Sequence, residues 1–239
     1  DHSAATRPDV NGKVRYDFAD GGSLTFLANA VGVDAQDPLG LTRAQFAQSA
    51  TLAGTGAIQF DTRKTIGQEQ FGLDYKRDLT DADALDALVY GGNRDVKQYQ
   101  AIPLTTQASQ QSPGGAIGLA NDYEGTDIRL TDKRNLGDAK LQVTAGIAYD
   151  QLNEFRTGFL NFIGSETGVQ GALRRDENDD VFSFDQYVQA QLDLGAVLIE
   201  AGARNSRVLI SSHDHYVAPG HATTSGDVAY RATTPAAGM

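Results

Sequence analysis

The chain has no cysteine and no tryptophan, one methionine, six prolines and four histidines among 239 residues. Without thiols it cannot use thiol catalysis, iron–sulfur clusters or cysteine-ligated zinc. Basic residues are also few: 20 Lys and Arg stand against 31 Asp and Glu, a formal net charge of -11. That balance argues against nucleic acid, because phosphate binding needs a basic face. No apolar run approaches the ~20 residues of a membrane helix. A membrane β-barrel stays open, since its strands are apolar on one face only. There is no initiator methionine or signal peptide before Asp1 and no breaker after Ala236-Ala237-Gly238-Met239, so both ends read as cut.

What is present is a period-2 alternation. In Lys13-Val14-Arg15-Tyr16-Asp17-Phe18 every second residue is apolar. A helix would scatter those charges, whereas a strand puts Val14, Tyr16 and Phe18 on one face and Lys13, Arg15 and Asp17 on the other. The turn-forming run Ala19-Asp20-Gly21-Gly22 follows, then Leu24, Phe26, Ala28 and Ala30 against Ser23, Thr25 and Asn29, with Leu27 as an exception. The pattern recurs at Phe71, Leu73 and Tyr75, and after the acidic turn 78–83 a strand runs to about Asn93 with ambiguous parity (Leu85, Ala87 and Val89, but also Leu88 and Tyr90). Ile128 and Leu130 lead through a turn at 133–138 into Leu141, Val143, Ala145, Ile147 and Tyr149. A fourth hairpin joins the 182–194 run to Val197, Ile199, Ala201 and Ala203 through Gly195-Ala196, and a ninth strand starts near Val228.

Short turns alternate with long polar links, expected at about 35–64, 95–124, 151–180 and 212–227. One link carries a capping-box signature, Thr42-Arg43-Ala44-Gln45, ahead of Phe46. Hairpins with short turns at one end and long loops at the other describe an antiparallel transmembrane β-barrel of about nine strands. Tyr16, Phe18 and Tyr75, beside short turns, fit an interfacial aromatic girdle. A soluble sandwich or jelly roll shares the one-faced pattern, but its strands average ~5–6 residues. A passive porin-like barrel and a soluble β-rich binding or adhesin module are the alternatives from other functional classes. No Ser/His/Asp or paired-carboxylate spacing supports an enzyme.

Several segments, GKVRYDFADGGSLTFLANA, DAQDPLGLTRAQF, FDTRKTIGQEQFGLDYKRDL, VYGGNRDVKQYQAIP, AVLIEAGARNSRV and the closing YRATTPAAGM, together resemble the barrel of TonB-dependent outer-membrane receptors of the siderophore-receptor type. The last segment resembles that family's (S/T)-P-x-x-G strand opening. The resemblance implies residues 1–239 as one partial barrel domain, nine strands of a barrel of about 22, with short turns periplasmic and long loops extracellular. The plug domain and the C-terminal strands would lie outside this chain. It implies a monomeric receptor in the outer membrane of a Gram-negative bacterium, in contact with lipid, its own plug and the TonB–ExbB–ExbD system through segments not in this chain. No covalently bound cofactor is expected; the cargo would be a ferric siderophore or a similar scarce metal chelate.

Three of the four histidines cluster in HDHYVAPGH, residues 213–221. His213, His215 and His221 are weak candidate metal ligands, but i, i+2 spacing also follows from strand geometry, and solvated loop histidines are the favoured reading. Tyr216 adds an aromatic surface beside them. Gln98, Tyr99 and Tyr123 fall in a link with amide and aromatic groups suited to a chelate. Asp176-Glu177-Asn178-Asp179-Asp180 begins like an EF-hand, yet Val181 replaces the required glycine and Tyr187 the bidentate glutamate, so it reads as an acidic loop. Pro113-Gly114-Gly115-Ala116-Ile117-Gly118 lacks the strand-to-helix context of a nucleotide loop. Arg15, Asp17, Lys140, Glu200 and Arg204 read as wall residues facing a water-filled interior.

Overall fold

The computed structural model describes residues 1–239 except Val217, Pro219 and His221. It opens with strands β1 (Ala5–Thr6), β2 (Asp9–Asp17) and β3 (Gly22–Gln36), followed by short helices α1 (Arg43–Gln48) and α2 (Thr55–Phe60). Then come β4 (Arg63–Asp78), β5 (Asp83–Tyr99), α3 (Leu104–Gln107), β6 (Ala116–Leu136) and β7 (Ala139–Phe159). A small β8 (Phe162–Ile163) and β9 (Glu166–Thr167) precede β10 (Leu173–Asp193), β11 (Leu198–Asp214) and β12 (Gly226–Gly238). All but β8 and β9 form one open antiparallel meander in chain order. β1 and β2 hold one register against β3 (Thr6 opposite Asp34, Asp9 opposite Val31) and are a single strand interrupted at Pro8, which has no N–H to donate. The wall therefore has nine strands.

Register fixes the faces. Val14, Phe26, Leu73, Val89, Thr126, Tyr149 and Phe184 stand in one row across seven strands. The next row on that face holds Tyr16, Leu24, Tyr75, Ala87, Ile128 and Ile147. The ambiguous parity of β5 resolves the same way: Leu85, Ala87 and Val89 are on the apolar face, Leu88 and Tyr90 on the polar one. The apolar face has no cover; Val14 is 66% exposed, Tyr16 63% and Phe71 57%. Among the described residues the buried apolar side chains are only Ala57, Phe60, Tyr99 and Ala116, none of them on that belt. A face this apolar and this bare needs a nonaqueous neighbour. Rings mark its lower border, with Phe18 edge-on to Tyr16 at 5.0 Å and to Tyr75 at 6.3 Å.

The hairpin turns descend along the wall in uneven steps, the β4–β5 turn 78 − 76 = 2 and the β6–β7 turn 136 − 129 = 7 residues below the β2–β3 turn. The row that ends the β2–β3 hairpin, Asp17–Ser23, runs on through Lys76, Asp86, Arg129 and Gly146 to Tyr187 in β10. The β10–β11 hairpin instead ends at Asp193–Leu198, 193 − 187 = 6 residues lower after six strand-to-strand steps. One residue of ~3.3 Å per strand spacing of ~4.8 Å corresponds to a tilt of about 35°. That is the tilt required of strands in a closed barrel.

Strands run well past the alternating pattern. β6, β7 and β10 have 21 residues each, ~70 Å at 3.3 Å per residue, more than double the ~30 Å hydrocarbon core. The connections shrink accordingly to 37–62, 100–115, 160–172 and 215–225, and the turn expected at 133–138 tightens to Gly137-Asp138. Gln98, Tyr99 and Tyr123 are thus strand residues, and Asp176–Asp180 lies in β10 with its side chains alternating between faces, which bars an EF-hand loop. Above the belt both faces are wet, so the alternation that identifies a strand disappears while its hydrogen bonds continue. Thr234-Pro235-Ala236-Ala237-Gly238 lies inside β12, which begins at Gly226, rather than opening a strand. The capping box forms as the sequence indicates: the Thr42 amide donates to Gln45 Oε1 at 2.9 Å and the Gln45 amide to Thr42 Oγ1 at 3.3 Å.

On the polar face tyrosines lie across glycines of neighbouring strands. A Cβ at Gly92 would meet Tyr123 Oη at 2.7 Å, one at Gly146 would meet Tyr187 at 2.5 Å, and one at Gly125 would overlap the Tyr90 ring. Gly12, in contrast, has nothing within 4 Å. In the full-length protein Gly125→Ala should destabilise the barrel by about 1–3 kcal/mol, while Gly12→Ala should be nearly silent; unfolding in urea from lipid vesicles measures both. The faces make a second test. Ala145→Arg on the apolar face should cost about 2–4 kcal/mol, and Thr144→Arg, its neighbour on the polar face, far less. Equal costs would contradict the assigned register.

Candidate functional site

The polar face carries a ladder of charges across adjacent strands, built by register. Lys76, Asp86 and Arg129 are direct cross-strand neighbours: Arg129 Nη2 donates to Asp86 Oδ2 at 2.8 Å, and Lys76 Nζ sits 3.4 Å from the same oxygen and 3.2 Å from Asp74. The ladder continues where Tyr187 donates to Asp127 at 3.1 Å and Arg204 pairs with Asp185. One row above, Tyr90 bonds to Asp150, which also accepts from Ser183 at 3.4 Å. Opposite charges placed across neighbouring strands reinforce the pairing. Of these, the sequence by itself marks out only Arg204 as a wall residue, together with Arg15, Asp17, Lys140 and Glu200 on the same face. Asp74 and Lys76 pair two residues apart on one strand, but the contacts of Lys76, Arg129 and Tyr187 with Asp86 and Asp127 join residues 10 to 60 positions apart.

Higher on this face Glu177 is held between Arg156 and Arg175, each 3.5 Å from Oε1, with its side chain only 8% exposed. Burial pushes the Glu177 carboxyl above its ordinary range, although the Arg175 and Arg156 charges oppose that shift. The neighbouring residue in register, Asp214, accepts the Tyr216 amide at 2.9 Å and the Thr224 amide at 3.1 Å and so closes the base of the 215–225 loop.

The residues singled out in the sequence do not converge. Gln98 is on the polar face, level with Lys64 and Ile117. Tyr123 shares that face but lies six residues further along β6 than Ile117, ~20 Å away along the strand. Tyr99 points to the opposite face, where it is buried and the Arg63 guanidinium stacks 3.6 Å over its ring. His213 is also on that opposite face, 3.3 Å from Ser211 Oγ, while His215 Nε2 lies 3.2 Å from Asn178 Oδ1. His221 falls outside the described residues. Among the described residues no group of three His, Asp or Glu is placed to hold a metal ion.

Sequence reasoning missed the part of the long-loop end where segments 37–62, 100–115 and 160–172 pack on one another. Asn161 is fully buried there and donates from Nδ2 to the Phe60 and Gln100 carbonyls, both at 3.1 Å. Its backbone amide donates to Oε1 of Gln107, also fully buried, at 2.8 Å. Lone amides in polar links carry no signal in a sequence; only the close approach at Gly114-Gly115, where a Cβ would overlap the Phe159 carbonyl or sit 2.8 Å from Gln107, hints at such packing.

The fold is shared with solved receptors. The ferric citrate transporter FecA superposes with a TM-score of 0.81 at 16% identity, covering 99% of this chain and 33% of FecA. BauA, the ferric preacinetobactin receptor from Acinetobacter baumannii, gives 0.76 at 12% identity, covering 99% of this chain and 37% of BauA. The ferric-catecholate import receptor Fiu from E. coli K12, in its open form, gives 0.67 at 11% identity, covering all of this chain and 43% of Fiu. The chain thus spans about a third to two fifths of the length of these receptors. TonB-dependent receptor barrels are outer-membrane proteins of Gram-negative bacteria and transporters, not enzymes. Residues 7–239, everything from the first continuous strand onward, match the model of the TonB dependent receptor-like β-barrel, and the chain belongs to that family.

Proposed function

We propose that this chain is nine strands of the barrel of an active-transport receptor in the outer membrane of a Gram-negative bacterium. Its cargo is a ferric siderophore or a similar scarce metal chelate, and import is driven by the TonB–ExbB–ExbD system acting through segments outside this chain. A plug domain and the remaining strands belong to the rest of a longer, monomeric receptor. The observation that carries the reading is the two-faced wall: a bare apolar belt at about 35° tilt backed by a face of paired charges and polar side chains, in a chain whose family is that of the TonB-dependent barrels. The polar face then lines the interior, where the Lys76–Asp86–Arg129 ladder keeps the wall hydrated beside a plug, and the 37–62, 100–115, 160–172 and 215–225 segments ring the extracellular mouth.

Of the candidate contact residues, Gln98 and Tyr123 face the interior and Tyr216 stands at the mouth; these are the proposed ligand contacts. Tyr99, His213 and His215 make their contacts on or toward the outer surface. The experiment is radioactive-iron uptake by cells whose own gene is deleted and which make the full-length receptor, supplied with ferric citrate, ferric catecholate and ferric hydroxamate chelates in turn. One class should be taken up, and uptake should vanish when the proton gradient is collapsed. Uptake that survives the collapse would indicate a passive pore, and no uptake or binding of any class would sink the siderophore reading. With the accepted chelate, Gln98→Ala should lower uptake about 3- to 10-fold, the effect of one lost ligand hydrogen bond. The His213→Ala, His215→Ala double variant should leave uptake within about twofold; the reverse pattern would move ligand contact to the outer surface.

A further inference from the structure

We infer that segments 37–62, 100–115 and 160–172 are one cooperative unit locked by Asn161, a single rigid rim and not three independent flaps. The lock is built from side-chain amides and backbone carbonyls drawn from all three segments. The two Nδ2 hydrogens of Asn161 reach one carbonyl in each of the other two, Phe60 and Gln100. Its amide is fixed by Gln107 Oε1, and Gln107 Nε2 in turn donates to the Ile102 carbonyl at 2.7 Å, tying 160–172 to the base of 100–115. Both amide side chains have no solvent exposure. Hydrogen bonds made there do not compete with water, and losing one leaves a buried group unsatisfied.

Separate contacts close the same circuit. Arg63, at the foot of 37–62, donates to the Gly168 carbonyl at 3.2 Å, and Thr167 Oγ1 donates to the Gln59 carbonyl at 2.5 Å. The rim has its own small apolar centre as well, since Ala57 and Phe60 are buried while the sheet below has no core on its apolar belt. Loops that are merely mobile connections bury no such groups; local opening here must break all of these contacts together. The rim consequently presents one fixed surface to whatever approaches the mouth from outside.

The test uses the full-length receptor in lipid vesicles and hydrogen exchange of backbone amides, with no ligand needed. Asn161→Ala should speed exchange about tenfold or more in all three segments at once, with the β6–β7 ladder below unchanged. Acceleration confined to 160–172, or none, would overturn the inference. Should Asn161→Ala fail to assemble, a crosslink decides the matter from the opposite direction. A Cβ at Gly56 would stand 3.1 Å from Ala101 Cβ, a few tenths of an ångström short of disulfide spacing, and the chain has no cysteine of its own to compete. In Gly56→Cys, Ala101→Cys, oxidation should slow exchange in 160–172, a segment that carries neither substitution, and reduction should reverse it. If oxidation slows exchange only in the two crosslinked segments, the rim is not one unit.

Discussion

Backbone hydrogen bonding between neighbouring strands is the constraint on which this structure depends. A wall in contact with lipid has no water to satisfy its amides, so each strand must be paired along its full length with the next. Pairing fixes register, and register with a side-chain period of two fixes every side chain to one face. The apolar belt, the charge ladder and the tyrosine–glycine contacts are all consequences of that single ladder. Lys76, Asp86 and Arg129 meet because three strands are in register, with no local sequence feature drawing them together.

The same ladder explains why the molecule has two unlike ends. At the short-turn end the chain reverses with residues suited to tight geometry, as at Gly195, which has φ +83°. At the other end the strands continue beyond the belt, where water is present on both faces. There the ladder supports a rim whose cohesion comes from buried amides, Asn161 and Gln107, and a small apolar centre around Ala57 and Phe60. Function in a receptor of this family is divided along that line: the belt seats the wall in lipid, the polar face lines an interior, and the rim meets the outside.

Legibility in the sequence followed the environment of each residue. Leu141 to Tyr149 was readable because one face meets an apolar phase and the other water, so its alternation is enforced. Residues 95–99, 116–124 and 173–180 were read as links because both faces are wet and composition no longer distinguishes a strand from a loop. Leu27 and Leu88 broke the alternation because they flank Tyr90 near Gly72 on the polar face, an apolar spot that only cross-strand packing reveals. The Thr42 capping box was readable since its two partners are three residues apart.

By itself, then, the sequence determined the fold class, the polarity of the wall and the positions of the short turns, because those depend on local alternation and turn chemistry; the family entered through the resemblance of whole segments. Tertiary structure alone decided which charges pair, which of Gln98, Tyr99, Tyr123, His213 and His215 face the interior, and that three links close into one rim. Those outcomes rest on contacts between residues tens of positions apart, and nothing in a local pattern encodes which strand, or which loop, a side chain will meet.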